Sequence, residues 1–219
     1  MKVAVIGGGR HGRVIIDMIE KAGELSLVGV LDSTLPSGSE VLGYPVLGAD
    51  SDVAPLAEQH SLEGVVVAIG DNYFRSQVVA AVAEKAPHLK FPSVVHPSVQ
   101  IAKGVQIWRG SVIMPGVVVN PGTQIGEFCI LNTNCSVDHD GVLGDFSSFA
   151  PNSCAGGVVH VGEFSAIGLG ANLVHEVKVG SHTVIGAGAT VLSDLPSNVV
   201  AYGTPARVIR SRELGERYL

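Results

Sequence analysis

The chain has 219 residues, of which 46% are hydrophobic and only 5% aromatic, so it is long enough to bury an aliphatic core in one or two domains. Its formal net charge of −6 and the lack of any run of Lys or Arg argue against a surface for nucleic acid or anionic membranes. We therefore expect small-molecule chemistry, with no nucleic acid partner and no membrane insertion.

The N-terminal strand, Met1 to Ile6, runs directly into glycines without an apolar stretch of the length that a signal peptide or membrane span needs. On this basis we expect a cytoplasmic protein. Three cysteines, Cys129, Cys135 and Cys154, show no C-x-x-C spacing. We interpret them as small core residues rather than as disulfide partners or zinc ligands.

The first ninety residues alternate apolar strands with helical stretches. The pattern predicts strands at 2–6, 26–31 and 65–69 and helices at 13–22 and 74–85. This β-α-β order is typical of a small parallel sheet with helical cover.

A glycine-rich loop follows the first predicted strand. Its residues, Gly7-Gly8-Gly9-Arg10-His11-Gly12, match G-x-G-x-x-G, and Asp32 comes twenty residues after Gly12. Such a loop lets the backbone and a helix N-terminus approach a phosphate group. Because the sheet is too short for the two halves of a dinucleotide-binding domain, we favour a mononucleotide or nucleotide-sugar ligand over NAD.

From Val95 to Val191 an apolar residue recurs at every sixth position without a change of phase. Small or β-branched residues lie two positions earlier, and glycine often follows the apolar residue, as at Gly126, Gly144 and Gly162. A period of six fits short strands joined by tight turns, with three strands to each triangular coil. We predict about five coils, and we expect these glycines to supply the positive φ of the corners.

Several motifs occur together: the glycine-rich βαβ domain, the hexapeptide repeats, Asn132-Thr133 ahead of Val137-Asp138-His139-Asp140, and a closing Gly203-Thr204-Pro205-Ala206. In this combination the chain resembles the hexapeptide-repeat N-acetyltransferases of nucleotide-linked 4-amino sugars, such as those of bacillosamine, perosamine and viosamine biosynthesis. These enzymes are grouped with the sialic-acid O-acetyltransferases. The resemblance spans essentially the whole chain.

The resemblance implies a fold of two domains. Residues 1–92 would form a small α/β Rossmann-like domain that binds the nucleotide sugar, and residues 93–219 a left-handed parallel β-helix with the acetyltransferase site and a C-terminal tail. It further implies acetyl-CoA as co-substrate, no metal, and a homotrimer with pantetheine between neighbouring subunits. The reaction implied is acetylation of the 4-amino group of a nucleotide-linked 4-amino-4,6-dideoxy sugar for surface glycans.

The resemblance places the general base at His139 and its acidic partner at Asp140. An amine that attacks a thioester loses a proton as the bond forms, and an imidazole with a pKa near neutrality can accept it. A nearby carboxylate favours the imidazolium and orients the ring. Asp138 flanks His139 as well, so the choice of carboxylate stays open. Asn132 matches a position near the reacting centre, where it contacts the substrate or the acid, or stacks as a corner asparagine.

Further residues are implied as ligand contacts. Those expected to bind the nucleotide sugar are Gly9, Arg10, His11, Asp32, Ser33 and Gly70. Those expected to bind acetyl-CoA are Ser148, Leu169 and Ala187, the last two through backbone groups. The family more often has two adjacent acids where this chain has Asp32 and Ser33, and a smaller residue where it has Arg10.

Other functions remain open from the sequence. The same base could serve O-acetylation of a sialic-acid-type sugar, and a catalytically silent nucleotide-sugar sensor or scaffold would show the same motifs. A trimeric zinc hydratase would need three histidine ligands, and His160, His175 and His182 do not match that spacing. Direct transfer requires no acetyl-enzyme, although the sequence alone does not exclude Cys135 as a nucleophile.

Overall fold

The computed structural model describes residues 1–218, which divide into two compact units. The first unit is Met1–His96, and the second begins at Pro97. The boundary predicted from the sequence lies after residue 92, four residues before this division. In the described part of the chain, no helix combines the length and the hydropathy needed to cross a bilayer.

The first unit is a five-stranded sheet with three helices. Its elements are β1 (Lys2–Ile6), α1 (Arg10–Ala22), β2 (Ser26–Leu31), β3 (Glu40–Val41), β4 (Tyr44–Gly48), α2 (Val53–His60), β5 (Gly64–Val67) and α3 (Asn72–Lys85), with β6 (Val94–Val95) at its end. The sheet order is β3-β4-β2-β1-β5, and only the β3–β4 pair is antiparallel. The carboxyl ends of β1, β2, β4 and β5 therefore lie along the same edge of the sheet.

Two parts of the first unit differ from the sequence-based prediction. Helix α1 begins at Arg10, directly after the glycine loop, rather than at Arg13. The segment from β3 through α2 was not predicted. Its first strand has only two residues, and its helix has eight, so neither presents a long periodic pattern.

The second unit is a prism with three parallel faces. The first face contains β7 (Gln100–Ile101), β10 (Val118–Val119), β13 (Ser136–Val137), β16 (Cys154–Ala155), β19 (Asn172–Leu173) and β22 (Thr190–Val191). The second contains β8 (Gln106–Ile107), β11 (Gln124–Ile125), β14 (Val142–Leu143), β17 (His160–Val161) and β20 (Lys178–Val179). The third contains β9 (Val112–Ile113), β12 (Ile130–Leu131), β15 (Ser148–Phe149), β18 (Ala166–Ile167) and β21 (Val184–Ile185), then β23 (Val199–Tyr202) and the antiparallel β24 (Arg207–Ser211).

Neighbouring strands on each face are eighteen residues apart, as the period of six predicts for three strands to a coil. Val118 pairs with Ser136, for example, and Ser136 with Cys154. The apolar residues of the repeat point inward, and from Ile113 to Val191 each is at most 4% exposed. Ile101, in the first coil, is 41% exposed. Val95 and Ile107 are half-buried. The predicted run of coils is therefore confirmed, and its first repeat residues are less buried than the rest.

The small residues two positions before each aliphatic are fully buried, and their hydroxyls bond to the backbone. The Ser165 hydroxyl donates to the carbonyl of Gly180 at 2.6 Å and accepts from the N–H of Thr183 at 2.9 Å. Burial of a hydroxyl is unfavourable unless it is paired, so these bonds explain why serine and threonine fit the interior corners.

The expected role of the repeat glycines is wrong. Positive φ falls two residues later than Gly126, Gly144 and Gly162, as at Phe128, Phe146 and Phe164. We name the three corners after a residue in each. The Asp140 corner holds Gly104, Gly122, Asp140, Val158 and Glu176; the Phe146 corner Gly110, Phe128, Phe146, Phe164 and His182; and the Asn152 corner Gly116, Asn134, Asn152, Gly170 and Gly188.

The repeat glycines are instead required by the close stacking of coils. A Cβ on Gly162 would lie 2.5 Å from the backbone nitrogen of Ser181 in the next coil, and a Cβ on Gly144 equally close to that of Glu163. Backbone cannot move aside as easily as a side chain can, so a larger residue at these positions would force the two coils to shift.

The Phe146 corner carries a continuous aromatic stack. Ring centroids are 5.0 Å apart between Phe128 and Phe146, 5.2 Å between Phe146 and Phe164, and 4.6 Å between Phe164 and His182, with interplanar angles of 10° or less. The Arg109 guanidinium lies 5.8 Å from the Phe128 ring centroid. Such contacts add to the burial energy of the rings and link four coils along one edge.

We predict that Gly162→Ala lowers the free energy of unfolding by about 1–3 kcal/mol, because its Cβ overlaps the backbone of the next coil. Gly170→Ala is the control, since its Cβ meets no atom within 4 Å and only its positive φ of 62° opposes the change. Chemical denaturation of both variants would measure the difference. A loss for Gly170→Ala as large as that for Gly162→Ala would contradict the stacking argument.

Candidate functional site

A histidine and a carboxylate are paired at the Asp140 corner. Nδ1 of His139 lies 2.9 Å from Oδ2 of Asp140, and both side chains are more than half exposed. With a carboxylate as acceptor, Nδ1 carries the proton and Nε2 holds the free lone pair. This tautomer is the one that can accept a proton at Nε2.

The surroundings of His139 raise its pKa above the ordinary imidazole value. The hydrogen bond to Asp140 is the main cause, partial burial opposes it, and the negative charges of Asp138 and Asp140 add to it. The ring is therefore a stronger base than a free imidazole, which suits it to accept a proton in a reaction.

Asp138 has a different position from Asp140. Its Oδ1 accepts the backbone N–H of His139 at 2.8 Å and the side-chain amide of Asn120 at 2.6 Å. These two bonds lower the pKa of Asp138 and keep it ionised. Asp140 therefore contacts the imidazole ring, whereas Asp138 holds the backbone and acts on the ring through its charge alone.

The residues expected to bind acetyl-CoA lie away from the corner that holds His139. Ser148 is on the third face, and the exposed residues Leu169 and Ala187 each directly precede a member of the Asn152 corner. Asn132 also lies at this end of the third face, two residues before Asn134. A strand of the first face separates the two corners, about 15–20 Å at the rise of an extended chain. One chain therefore does not bring these residues together with His139.

The C-terminal segment lies close to one of these positions. The Tyr218 hydroxyl is 3.4 Å from the Ser148 hydroxyl, and the Arg212 guanidinium lies 5.4 Å from the Tyr218 ring centroid. Arg212 in turn donates to the carbonyl of His182 at 2.9 Å. The tail is thus held against the prism beside Ser148.

In the first unit, Asp32 organises the glycine loop. Its Oδ2 accepts the N–H of Gly8 at 2.7 Å, and its Oδ1 accepts from the backbone and hydroxyl of Thr34 and from the N–H of Leu35. Partial burial by itself raises the pKa of Asp32, but these hydrogen bonds outweigh that effect and lower it. A Cβ on Gly12 would collide with the carbonyl oxygen of Gly7, so the start of α1 requires glycine there.

A cleft opens at the carboxyl ends of β1, β2 and β5. Its volume is about 320 Å³, and its lining includes Gly7, Asp32, Ser33, Asp50 and the 45% exposed ring of Phe74. The Ser33 hydroxyl donates to the carboxylate of Asp50. An apolar cleft with hydroxyl and carboxylate groups and an exposed aromatic ring at a sheet switch point has the composition of a nucleotide site.

The remaining N-terminal candidates have distinct environments. Gly9 is the N-cap of α1 and Arg10 is exposed beside it. Burial, assisted by the charge of Arg75, lowers the pKa of His11 to about 4, so its ring is neutral at physiological pH. Gly70 accepts a hydrogen bond through its carbonyl from the buried Arg75 guanidinium at 3.0 Å.

Sequence reasoning missed several residues that shape these sites. The buried Arg75 also donates to Ile69 and to the side chain of Asn72, which fixes the loop after β5. Asn120 holds Asp138, and Asp50 lines the cleft. Asn120 lies eighteen residues before Asp138, so the coil period was a usable signal for it. Arg75 and Asp50 carry no motif.

The three cysteines differ in their burial. Cys135 is fully buried, and burial raises the pKa of its thiol, which disfavours the nucleophilic thiolate. Cys129 is buried as predicted, but Cys154 faces outward and its thiol lies 3.0 Å from Oδ1 of Asn172. Within residues 1–218, no three His, Cys, Asp or Glu side chains are grouped as a metal site would need.

Comparison with known proteins places the chain in a family. Residues 2–82 match the family model of the PglD N-terminal domain. Over 96% of this chain and 98% of the other, the fold matches a histidine-to-alanine variant of GDP-perosamine N-acetyl transferase from Caulobacter crescentus, solved with CoA and GDP-perosamine, at 33% identity and a TM-score of 0.89. A comparison with the curated proteins found no match.

Two further solved structures agree. The acetyltransferase domain of PglB from Neisseria gonorrhoeae, in complex with acetyl coenzyme A, is 33% identical over 95% of this chain and 98% of that one, with a TM-score of 0.87. WeeI from Acinetobacter baumannii is 26% identical over 95% and 100%, with a TM-score of 0.86. The chain belongs to the hexapeptide-repeat nucleotide-sugar N-acetyltransferase family. The predicted fold class, a Rossmann-like domain followed by a left-handed β-helix, and the prediction of an acetyltransferase are confirmed.

We predict that Asp140→Asn lowers the pKa of His139, because a neutral amide no longer stabilises the imidazolium. An NMR titration of the His139 ring would measure the change. Asp138→Asn is the matched control, since it removes a charge without removing the ring's hydrogen bond, and it should produce a smaller decrease. An equal or larger decrease for Asp138→Asn would make Asp138 the principal partner.

Proposed function

We propose that this chain transfers an acetyl group from acetyl-CoA to the 4-amino group of a nucleotide-linked 4-amino-4,6-dideoxy sugar, with His139 as general base. The observation that carries this proposal is the 2.9 Å contact between Nδ1 of His139 and Asp140, which leaves Nε2 of this half-exposed ring as the proton acceptor. Family membership supports the reaction class, and relatives were solved with CoA or acetyl-CoA and with GDP-perosamine.

The reaction proceeds by direct transfer. The sugar nitrogen attacks the thioester carbonyl carbon while Nε2 of His139 takes a proton from the nitrogen. The tetrahedral intermediate then expels the CoA sulfur, which receives a proton from the imidazolium. Asp140 stabilises that imidazolium and holds the tautomer. The buried thiol of Cys135 has no role in this scheme.

The first unit supplies the nucleotide site in this proposal. The amides at the start of α1, with the exposed Arg10 beside them, would bind the diphosphate, since no acidic residue lies in the first turn. Asp32, Ser33 and Asp50 would accept hydrogen bonds from hydroxyl and N–H groups of the nucleoside, and Phe74 offers a ring for base stacking. Gly9, His11 and Gly70 shape the surrounding loops.

Assembly completes the acetyl-CoA site in this proposal. Leu169 and Ala187 lie beside the Asn152 corner, Ser148 lies on the third face, and His139 lies beside the Asp140 corner. A site that uses all of them needs a second copy of the chain. A closed ring of three prisms brings one corner of each subunit against another corner of its neighbour. We therefore propose a homotrimer with the acetyl donor between subunits. Localisation in the cytoplasm stays a prediction.

The first test is thiol release from acetyl-CoA in the presence of UDP-, GDP- and dTDP-linked 4-amino-4,6-dideoxy sugars. One amine should be acetylated, and His139→Ala should lower kcat by about 10²–10⁴-fold, the usual contribution of a general base. In the wild type, kcat/KM should fall with decreasing pH around the raised pKa of His139, because the base acts only when neutral.

Other outcomes of this test have definite meanings. Turnover with a sugar hydroxyl but with no amine would assign O-acetylation. Nucleotide-sugar binding with no turnover would assign a sensor or scaffold. A zinc hydratase would instead be marked by zinc in the purified protein, which metal analysis measures. Full activity of His139→Ala would contradict the base assignment.

Mixed assemblies test the shared site. His139→Ala and Ala187→Trp chains should each be inactive alone, and random mixing in a trimer should restore about one quarter of wild-type activity, since each site needs one intact corner from each of two neighbours. Ala187 is exposed, so the larger ring is expected to fold. No restoration in coexpressed, mixed trimers would contradict a site shared between subunits.

A further inference from the structure

The His139 ring lies against a glycine in the next coil. A Cβ on Gly157 would lie 2.5 Å from Nε2, 2.6 Å from Cε1 and 3.1 Å from Cδ2 of His139, and these are the three nearest atoms. Real Cβ atoms do not approach other heavy atoms below about 3 Å. The imidazole ring therefore occupies the space that a side chain at position 157 would fill.

Asp140 has the same relation to a glycine in the preceding coil. A Cβ on Gly122 would collide with Oδ1 of Asp140. The His139–Asp140 pair thus lies between two positions without side chains, one in the coil before it and one in the coil after it. In the column of residues that contains His139 and Gly157, the two neighbouring positions do carry side chains, Pro121 eighteen residues before His139 and His175 eighteen residues after Gly157.

We propose that Gly157 is a positioning residue for the acetyl transfer: its missing side chain lets the His139 ring lie against the next coil, with Nδ1 on Asp140. This inference rests on the proposed role of His139 as general base. The ring is 55% exposed, so few other contacts prevent it from turning into solvent. The Gly157 backbone provides a surface for one side of the ring and thereby orients Nε2.

Gly157→Ala tests the proposal with little risk to the fold. Gly157 does not have a positive φ, so alanine can adopt its backbone conformation, and only the flexible His139 ring must move. We expect kcat to fall about 10–100-fold, part of the contribution of a general base, with the KM for acetyl-CoA within about twofold. The pKa of His139 should fall as in Asp140→Asn, because the displaced ring loses its carboxylate.

His175→Ala is the matched control, since it puts an alanine at the same corner position one coil later. It should keep wild-type activity and the wild-type pKa of His139. Unchanged kcat and pKa in Gly157→Ala, beside an inactive His139→Ala, would overturn the positioning role while leaving the proposed function intact. An active His139→Ala would instead overturn the proposed function, and the pKa would still report whether Gly157 holds the ring.

A stability cycle gives a second readout that needs no activity. If the His139 ring is what the new Cβ meets, any destabilisation by Gly157→Ala should disappear in a His139→Ala background. Equal destabilisation in both backgrounds, measured by denaturant unfolding, would show that the clash lies elsewhere. That result would contradict the proposal even if the single variant were too unstable to assay.

Discussion

The backbone hydrogen-bond ladder between successive coils is the constraint on which the rest of the prism depends. The N–H of Val118 donates to Cys135, that of Ser136 to Ser153, and that of Cys154 to Ala171, each from one coil to the next. To return the chain in register after eighteen residues, every corner places one residue at positive φ. The hydrogen-bond ladder holds even Val158 at a positive φ of 61°. A β-branched residue in this left-handed conformation costs about 1–2 kcal/mol.

Because the register between coils is fixed, residues that are eighteen apart in the sequence are stacked in space. Residues eighteen apart lie directly above one another, which is why three phenylalanines and His182 form a ring stack at one corner. The same rule puts Asn120 beside Asp138 and Gly157 beside His139. The environment of a corner side chain is thus set by the residues eighteen positions before and after it. A single substitution therefore acts mainly on the coils above and below it.

The sequence predicted the prism well because its signal is repeated many times, so that one exception such as Ile101 does not obscure the phase. The role of the glycines and the orientation of Cys154 could not be predicted, because they depend on contacts between coils and not on the six-residue period. The glycines that follow many of the aliphatics were recognisable, but they are required by contact with the next coil rather than by positive φ. Cys154 looked like a core residue, yet it belongs to the outward-facing position of its strand.

In the candidate site, too, the sequence identified the key residues but not the partners that they contact. The motif and the family resemblance drew attention to His139, but two carboxylates flank it in sequence and only the backbone path decides which one meets the ring. In the first unit, the glycine loop was evident from its motif. The pairing of Asp32 with Gly8, and the buried Arg75 beneath the loop after β5, depend on tertiary contacts between distant segments.

His11, expected in the substrate-binding site, and His139, expected as the general base, have pKa values shifted in opposite directions. Burial and the charge of Arg75 lower the pKa of His11 to about 4, whereas Asp140 raises the pKa of His139. In the proposed nucleotide site, the diphosphate would therefore contact helix amides and the exposed Arg10 rather than a charged His11. Because the His11 ring is neutral at physiological pH, the pH dependence of the proposed transfer would report on His139 and on the substrate amine, both of which must be neutral for the attack.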